Sequence, residues 1–284
     1  MPRRRSAPRW MLIGLVGIAT IYVAVCIALF LLQRSLIYFP QPSHAPPGTP
    51  LLTFAVDGRQ VLATTREREG ERALVYFGGN SEDVSSSLPG LAALFPHHAV
   101  YLLHYPGYGG APGRPSEAAI MADAFALFDR VVARHPRVTV IGRSLGSGVA
   151  VQVASARPVE RLVLVAPYDS LEGVAESRFP LIPVAWILQD KFDSASRAGR
   201  IQAPTLVIEV ENDKVIPKAS TDRLLARFAP GRATLGVVVG AEHNFRDTHP
   251  DYVRLLRSLG DAPPPGASAS SPSSAASPAS AASR

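Results

Sequence analysis

The sequence predicts an α/β fold: a mostly parallel central sheet with helices on both faces and a short cap, preceded by one N-terminal transmembrane helix. Three observations predict it. Short continuous Val/Leu/Ile runs alternate with helix-forming stretches between residues 35 and 260, and runs lacking a polar side belong to strands buried on both faces. One such run, 138–141 (VTVI), leads directly into Gly142-Arg143-Ser144-Leu145-Gly146, a serine on a sharp strand-to-helix turn. Residues 11–33 carry no charge at all.

At the N-terminus, Arg3, Arg4, Arg5 and Arg9 precede the apolar run MLIGLVGIATIYVAVCIALFLLQ. As a helix this run spans about 34 Å, enough to cross a hydrocarbon core of about 30 Å with some tilt. A cleaved secretory signal has a shorter apolar region and a small-x-small site. Leu31-Leu32-Gln33-Arg34 offers no such site, and the segment reads as an uncleaved signal anchor. The positive-inside rule then places the N-terminus in the cytoplasm and the rest on the extracytoplasmic side, the periplasm in a bacterium. Cys26, the sole cysteine, lies within the span. The exported part therefore carries no thiol, in agreement with an oxidising compartment.

Residues 51–56 and 60–64 read as a hairpin around Asp57-Gly58, a strong turn pair. A strand follows at 73–77, a helix within 83–94, and a strand at 98–104. The Gly-rich stretch Tyr105-Pro106-Gly107-Tyr108-Gly109-Gly110 lacks the G-x-G-x-x-G spacing of a phosphate loop. It reads as a structural loop beneath the site. A helix over 115–135 starts with Pro115 near its first position. Beyond the 145–156 helix come strands at 161–166, 205–210 and 234–239, with a helix at 218–228. Residues 168–200 form a short lid whose apolar parts, 179–184 and 186–188, are suited to line an acyl pocket. They either face the core or dip toward the bilayer. The tail, 261–284, is Pro, Ser, Ala and Gly with almost no large apolar side chains, and reads as disordered. The chain thus divides into 1–34 (basic segment and anchor), 35–260 (one α/β domain) and 261–284.

In open α/β sheets, ligands sit at the carboxyl ends of the strands. Ser144 meets that demand, as do Asp213 past the strand 205–210 and His243 past 234–239. In this order the three match a nucleophile, acid and base. His243 would take the Ser144 proton, and Asp213 would hold the imidazole tautomer and stabilise the imidazolium. Asp169, after the strand 161–166, is a rival for the acid. Two backbone N–H groups are needed for the developing oxyanion: Leu145, next to the nucleophile, and Asn80, from the Gly78-Gly79-Asn80-Ser81 loop. The histidines lack metal-ligand spacing, so no metal is expected, and no cofactor is implied. The net charge of +6 owes much to the N-terminal arginines. No basic patch interleaves with aromatics, which argues against nucleic acid.

The motifs LIYFPQP (36–42), VYFGGNSEDVS (75–85), YPGYGGAPGRPSE (105–117), GRSLGSGVA (142–150), APYDSL (166–171), ENDKVIP (211–217) and EHNF (242–245) occur in this order. In them the chain resembles the Bem46-like branch of the α/β-hydrolases. The proteins of that branch resemble the animal ABHD12, ABHD13 and ABHD17 hydrolases and many membrane-anchored bacterial homologues. The chain departs from it at Gly78, where many members carry His, and at Pro106, where many carry Arg. The resemblance implies an α/β-hydrolase fold, serine-hydrolase chemistry on acyl esters or thioesters, and Ser144, Asp213 and His243 as the triad. The expected partners are a small or lipid-like acyl substrate and, through residues 11–33, a membrane. The alternative is a non-catalytic hydrolase-fold protein serving as an envelope interaction module.

Overall fold

The computed structural model describes residues 9–260. The expected disordered tail and the arginines at 3, 4 and 5 lie outside the described residues. The leading hairpin pairs β1 (Leu51–Val56) with β2 (Arg59–Arg66). Its turn puts Asp57 at φ 48° and Gly58 at φ 74°, the two left-handed residues of a type I′ turn that matches the natural strand twist. The strands β3 (Arg72–Phe77), β4 (Ala99–His104), β5 (Arg137–Arg143), β6 (Arg161–Val165), β7 (Thr205–Val210) and β8 (Ala233–Val238) complete the sheet. Among the described residues it is eight-stranded, in the order β1-β2-β4-β3-β5-β6-β7-β8. From β4 to β8 every pairing is parallel, and the antiparallel pairings are β1 with β2 and β2 with β4.

Both faces of this sheet are covered, which explains why its strands show no polar alternation. Along β3, Val75 and Phe77 pack on one face with Ile120 and Phe128 of α3 (Glu117–Val132) and Val149 of α4 (Leu145–Ala156). Leu74 and Tyr76 point the other way, toward Leu91 of α2 (Leu88–Leu94) and Tyr252 and Leu256 of α9 (Pro250–Gly260). A single turn of 3-10 helix, Val84–Ser87, precedes α2. The remaining helices are α1 (Arg9–Ile37), the cap helices α5 (Leu171–Arg178), α6 (Val184–Ile187) and α7 (Ala195–Ala198), and α8 (Lys218–Leu225).

Two boundaries differ from expectation. Ser116 caps α3, its side chain accepting from the Ala119 N–H, so Pro115 lies just outside the helix. A hydroxyl acceptor satisfies an orphan N–H that proline could only remove. The closing helix α9 has no counterpart in the sequence reading, although Tyr252, Leu255, Leu256 and Leu259 recur at helical spacing. In the lid, Phe179, Leu181 and Trp186 are 60%, 83% and 88% exposed; these three do not face the core.

His98 gives a pH-dependent stability. It is buried edge-on against Phe95, 5.3 Å between ring centres. Burial, with the nearby Arg72 charge, pulls its imidazole down to about 4 from 6.5. The folded state holds it neutral while the unfolded chain protonates it near 6.5. Its contribution is therefore complete above that value and is lost as pH falls toward 4, about 3 kcal/mol in all. Denaturant unfolding from pH 7 to pH 4 should show this loss, and His98→Gln should flatten it.

Candidate active site

Ser144 stands between the end of β5 and the start of α4 with φ 49° and ψ −117°. A Cβ on Gly146 would overlap the Phe77 carbonyl, and one on Gly142 the Gly146 carbonyl. Strand, turn and helix can close this tightly only with glycine at both positions. The Ser144 N–H is tied to the Val165 carbonyl of β6 at 2.8 Å, which fixes the strained turn against the sheet.

The loops after β7 and β8 bring two further groups to the serine. Ser144 Oγ lies 2.9 Å from His243 Nε2, and His243 Nδ1 lies 2.6 Å from Asp213 Oδ2. The other Asp213 oxygen accepts from the Val215 and Ile216 N–H groups at 2.7 and 2.8 Å. Only 7% of the aspartate side chain and 11% of the imidazole are exposed. An acceptor-only carboxylate demands the proton on Nδ1, leaving Nε2 free to accept from the serine hydroxyl. Asp169 is engaged elsewhere. It accepts from Ser220 Oγ and Arg223 Nε, each at 2.5 Å. Burial raises its carboxyl, but these hydrogen bonds outweigh burial and hold it below the usual range.

Leu145, as the first residue of α4, has an N–H with no acceptor inside the helix. The Asn80 N–H has no protein acceptor among the described residues. The Asn80 side chain anchors its loop, donating to the Ile37 carbonyl at 2.5 Å and accepting from Tyr108 Oη at 2.7 Å. Tyr105 Oη holds the same loop by donating to the Gly78 carbonyl at 2.9 Å. The Tyr-Pro-Gly-Tyr stretch is thus a buttress for the Gly78–Asn80 turn.

No protein-family model matches the chain. It is 34% identical over 232 residues to an uncharacterized protein of Mycobacterium tuberculosis, covering 75% of this chain and 80% of that one. Over 194 residues it is 31% identical to the alpha/beta hydrolase domain-containing protein aho-3 of Caenorhabditis elegans, covering 66% of this chain and 57% of aho-3. The chain belongs to the α/β-hydrolases. Protein bem46 of Schizosaccharomyces pombe is 24% identical over 239 residues, 72% of this chain and 77% of its own. The lysophosphatidylserine lipase ABHD12 of Macaca fascicularis is 29% identical over 196 residues, 58% of this chain and 49% of that lipase. Mouse alpha/beta hydrolase domain-containing protein 10 shares the fold at a TM-score of 0.59 and 14% identity, covering 75% of this chain and 97% of its own.

Around Ser144 this hydrolase has two clefts of opposite character. One, about 770 Å³, is apolar and is walled by α1, the lid, Tyr168 and Leu145. The other, about 550 Å³, is lined by polar groups including Glu82, Arg143, His243 and Asp247. Ser144 and Asn80 border both.

Sequence reasoning passes over Arg143, which holds the histidine loop in place. Its guanidinium donates to Asp247 Oδ1 at 2.7 Å and to the Phe245 carbonyl at 2.9 Å, and lies 4.8 Å over the Phe245 ring. Its charge also faces Glu82, whose carboxyl burial raises despite the Gly79 N–H and the arginine itself. The signal in the sequence is slight: a charged residue at the variable position of G-x-S-x-G, beside the serine.

Proposed function

We propose that the protein is a membrane-anchored serine hydrolase that cleaves acyl ester or thioester bonds of a lipid-like substrate through an acyl-serine intermediate. The observation that carries this reading is the hydrogen-bonded series Ser144–His243–Asp213, whose serine borders an apolar cleft of about 770 Å³. His243 Nε2 takes the Ser144 proton as Oγ attacks the carbonyl carbon, and the imidazolium is stabilised by Asp213. The N–H groups of Leu145 and Asn80 receive the oxyanion, each such donor contributing about 10²- to 10³-fold. The imidazolium then protonates the leaving alcohol or thiol. Water, activated by the same histidine, releases the acid and restores the serine. The acyl chain occupies the apolar cleft and the leaving group faces the polar one.

In this reading α1 is the anchor; its eighteen most apolar residues have a mean hydropathy of 2.8 and are unburied. The arginines before it keep the N-terminus cytoplasmic, so the hydrolase domain, 35–260, works on the extracytoplasmic side.

The test is labelling of the full-length protein in detergent with a fluorophosphonate probe, beside Ser144→Ala and His243→Ala. The parent should label and both variants should not. A folded parent that never labels overturns the reading and leaves the non-catalytic interaction module in its place.

A further inference from the structure

An anchor need only tether, yet α1 is built into the cleft. Tyr22, Val25, Leu29, Gln33 and Leu36 follow one another at three- and four-residue intervals, which places them on one stripe of the helix. Val25, Leu29 and Leu36 line the apolar cleft together with lid residues and Ser144. Gln33, only 6% exposed, sets the rotation of the helix. Its amide donates to the Ile187 carbonyl at 3.0 Å and accepts from the Gln189 N–H at 2.7 Å. One residue on, Arg34 pairs with buried Asp190 at 3.1 Å, and Tyr38 Oη donates to the same carboxylate at 3.0 Å. A glutamine within an apolar span is costly unless it is partnered, and here its partners are lid backbone and, at 2.8 Å, the Phe30 carbonyl of its own helix.

The lid also reaches far down the helix. Tyr22 Oη donates to the Leu181 carbonyl at 2.7 Å. Tyr22 precedes Gln33 by eleven residues, about 16 Å along the helix axis. That distance is about half of a hydrocarbon core. A lid that touches Tyr22 therefore sits at bilayer depth whenever α1 spans the membrane. Phe179, Leu181 and Trp186, the exposed apolar side chains of the lid, then face lipid chains instead of water.

Resting on the serine-hydrolase reading, we propose that α1 forms one wall of the acyl pocket. The mouth of that pocket, between α1 and the lid, opens into the hydrocarbon of one leaflet. A bilayer lipid slides one acyl chain in sideways along Val25 and Leu29 until its ester reaches Ser144. Val25 and Leu29 set the chain length accepted. The headgroup side of the ester stays on the polar side of the serine, at the level where α1 leaves the membrane.

Two measurements on the full-length protein in lipid nanodiscs test this. The first is a ladder of 4-nitrophenyl esters from four to sixteen carbons. Leu29→Trp should lower the ratio of kcat/KM for long over short chains about tenfold, and Leu29→Ala should move the optimum to longer chains. Leu31→Trp, on the lipid-facing side and 72% exposed, should keep the parent ratio. A ladder unchanged by both Leu29 variants, or equally changed by Leu31→Trp, overturns the proposal. The second uses the two tryptophans, Trp10 and Trp186. In a Trp10→Phe background, lipids brominated on their acyl chains should quench Trp186 strongly and aqueous iodide weakly; the reverse overturns the proposal. Fluorophosphonate labelling of the parent separates the two readings. Failure to label removes the enzyme, whereas normal labelling with an unresponsive ladder removes only the membrane-side pocket.

Discussion

Asp213→Asn is expected to lower kcat by about 10³- to 10⁴-fold while leaving the fold intact. The reason lies in how the carboxylate is divided. Oδ1 accepts two backbone N–H groups, from Val215 and Ile216, and Oδ2 accepts from His243 Nδ1. An asparagine must turn its carbonyl oxygen to the two backbone donors, because its amide cannot accept from them. The NH₂ group then faces Nδ1 and forces the imidazole proton onto Nε2. In that tautomer the histidine donates toward Ser144 and can no longer accept its proton. Asp169→Asn provides the contrast. It disturbs the contacts with Ser220 and Arg223, and should cost about 1 kcal/mol of stability with turnover close to the parent. Stopped-flow or steady-state kinetics on a soluble short-chain ester, with thermal unfolding alongside, checks both. Equal losses at the two positions would assign the acid wrongly.

Arg143→Ala carries the second large effect, divided between stability and turnover. Its side chain is 13% exposed and joins β5 to the histidine loop through Asp247 and Phe245. Removing it leaves the partly exposed Asp247 and Glu82 without their cation, a loss of about 3 kcal/mol, the low end for a buried pair. At this chain length that lowers Tm by about 10 °C. The loop from His243 to Asp247 also loses its pin, and a displacement of about 1 Å at the base is enough for a 10²-fold fall in kcat. KM should move far less, since the arginine lies on the polar side of Ser144 and away from the apolar cleft. Arg143→Lys keeps the charge but loses the planar fork, so it should recover part of the stability and less of the rate. A variant with parent kcat and a lowered Tm would reduce Arg143 to a purely structural role.

Much of this protein is legible because its rules are local. The hairpin turn is written in Asp57-Gly58, and each buried parallel strand in a short apolar run. The nucleophile turn needs glycine at 142 and 146 because neighbouring backbone leaves no room for a side chain. Ser144 and His243 can be singled out by a positional argument alone, since each follows a strand at the same edge of the sheet, whereas Asp213 and Asp169 both meet that condition. The α9 helix escapes notice because its apolar stripe is short and gains its meaning only from the sheet face it covers. Pro115 misleads by two positions, since a hydroxyl cap at Ser116 outweighs the preference of proline for a first turn.

The sequence by itself determines the α/β layering, the strain at Ser144, the apolar span and the candidate triad, because backbone sterics and hydrophobic period act over a few residues. Which carboxylate meets His243, what Arg143 holds and which face of α1 turns toward the lid are decided by tertiary structure alone. Each depends on side chains from distant parts of the chain: Arg143 and Asp247 are 104 residues apart, and Gln33 and Gln189 are 156 apart. No local pattern encodes such meetings. They arise when the packed sheet brings its loops to one edge and the lid packs against the apolar helix α1.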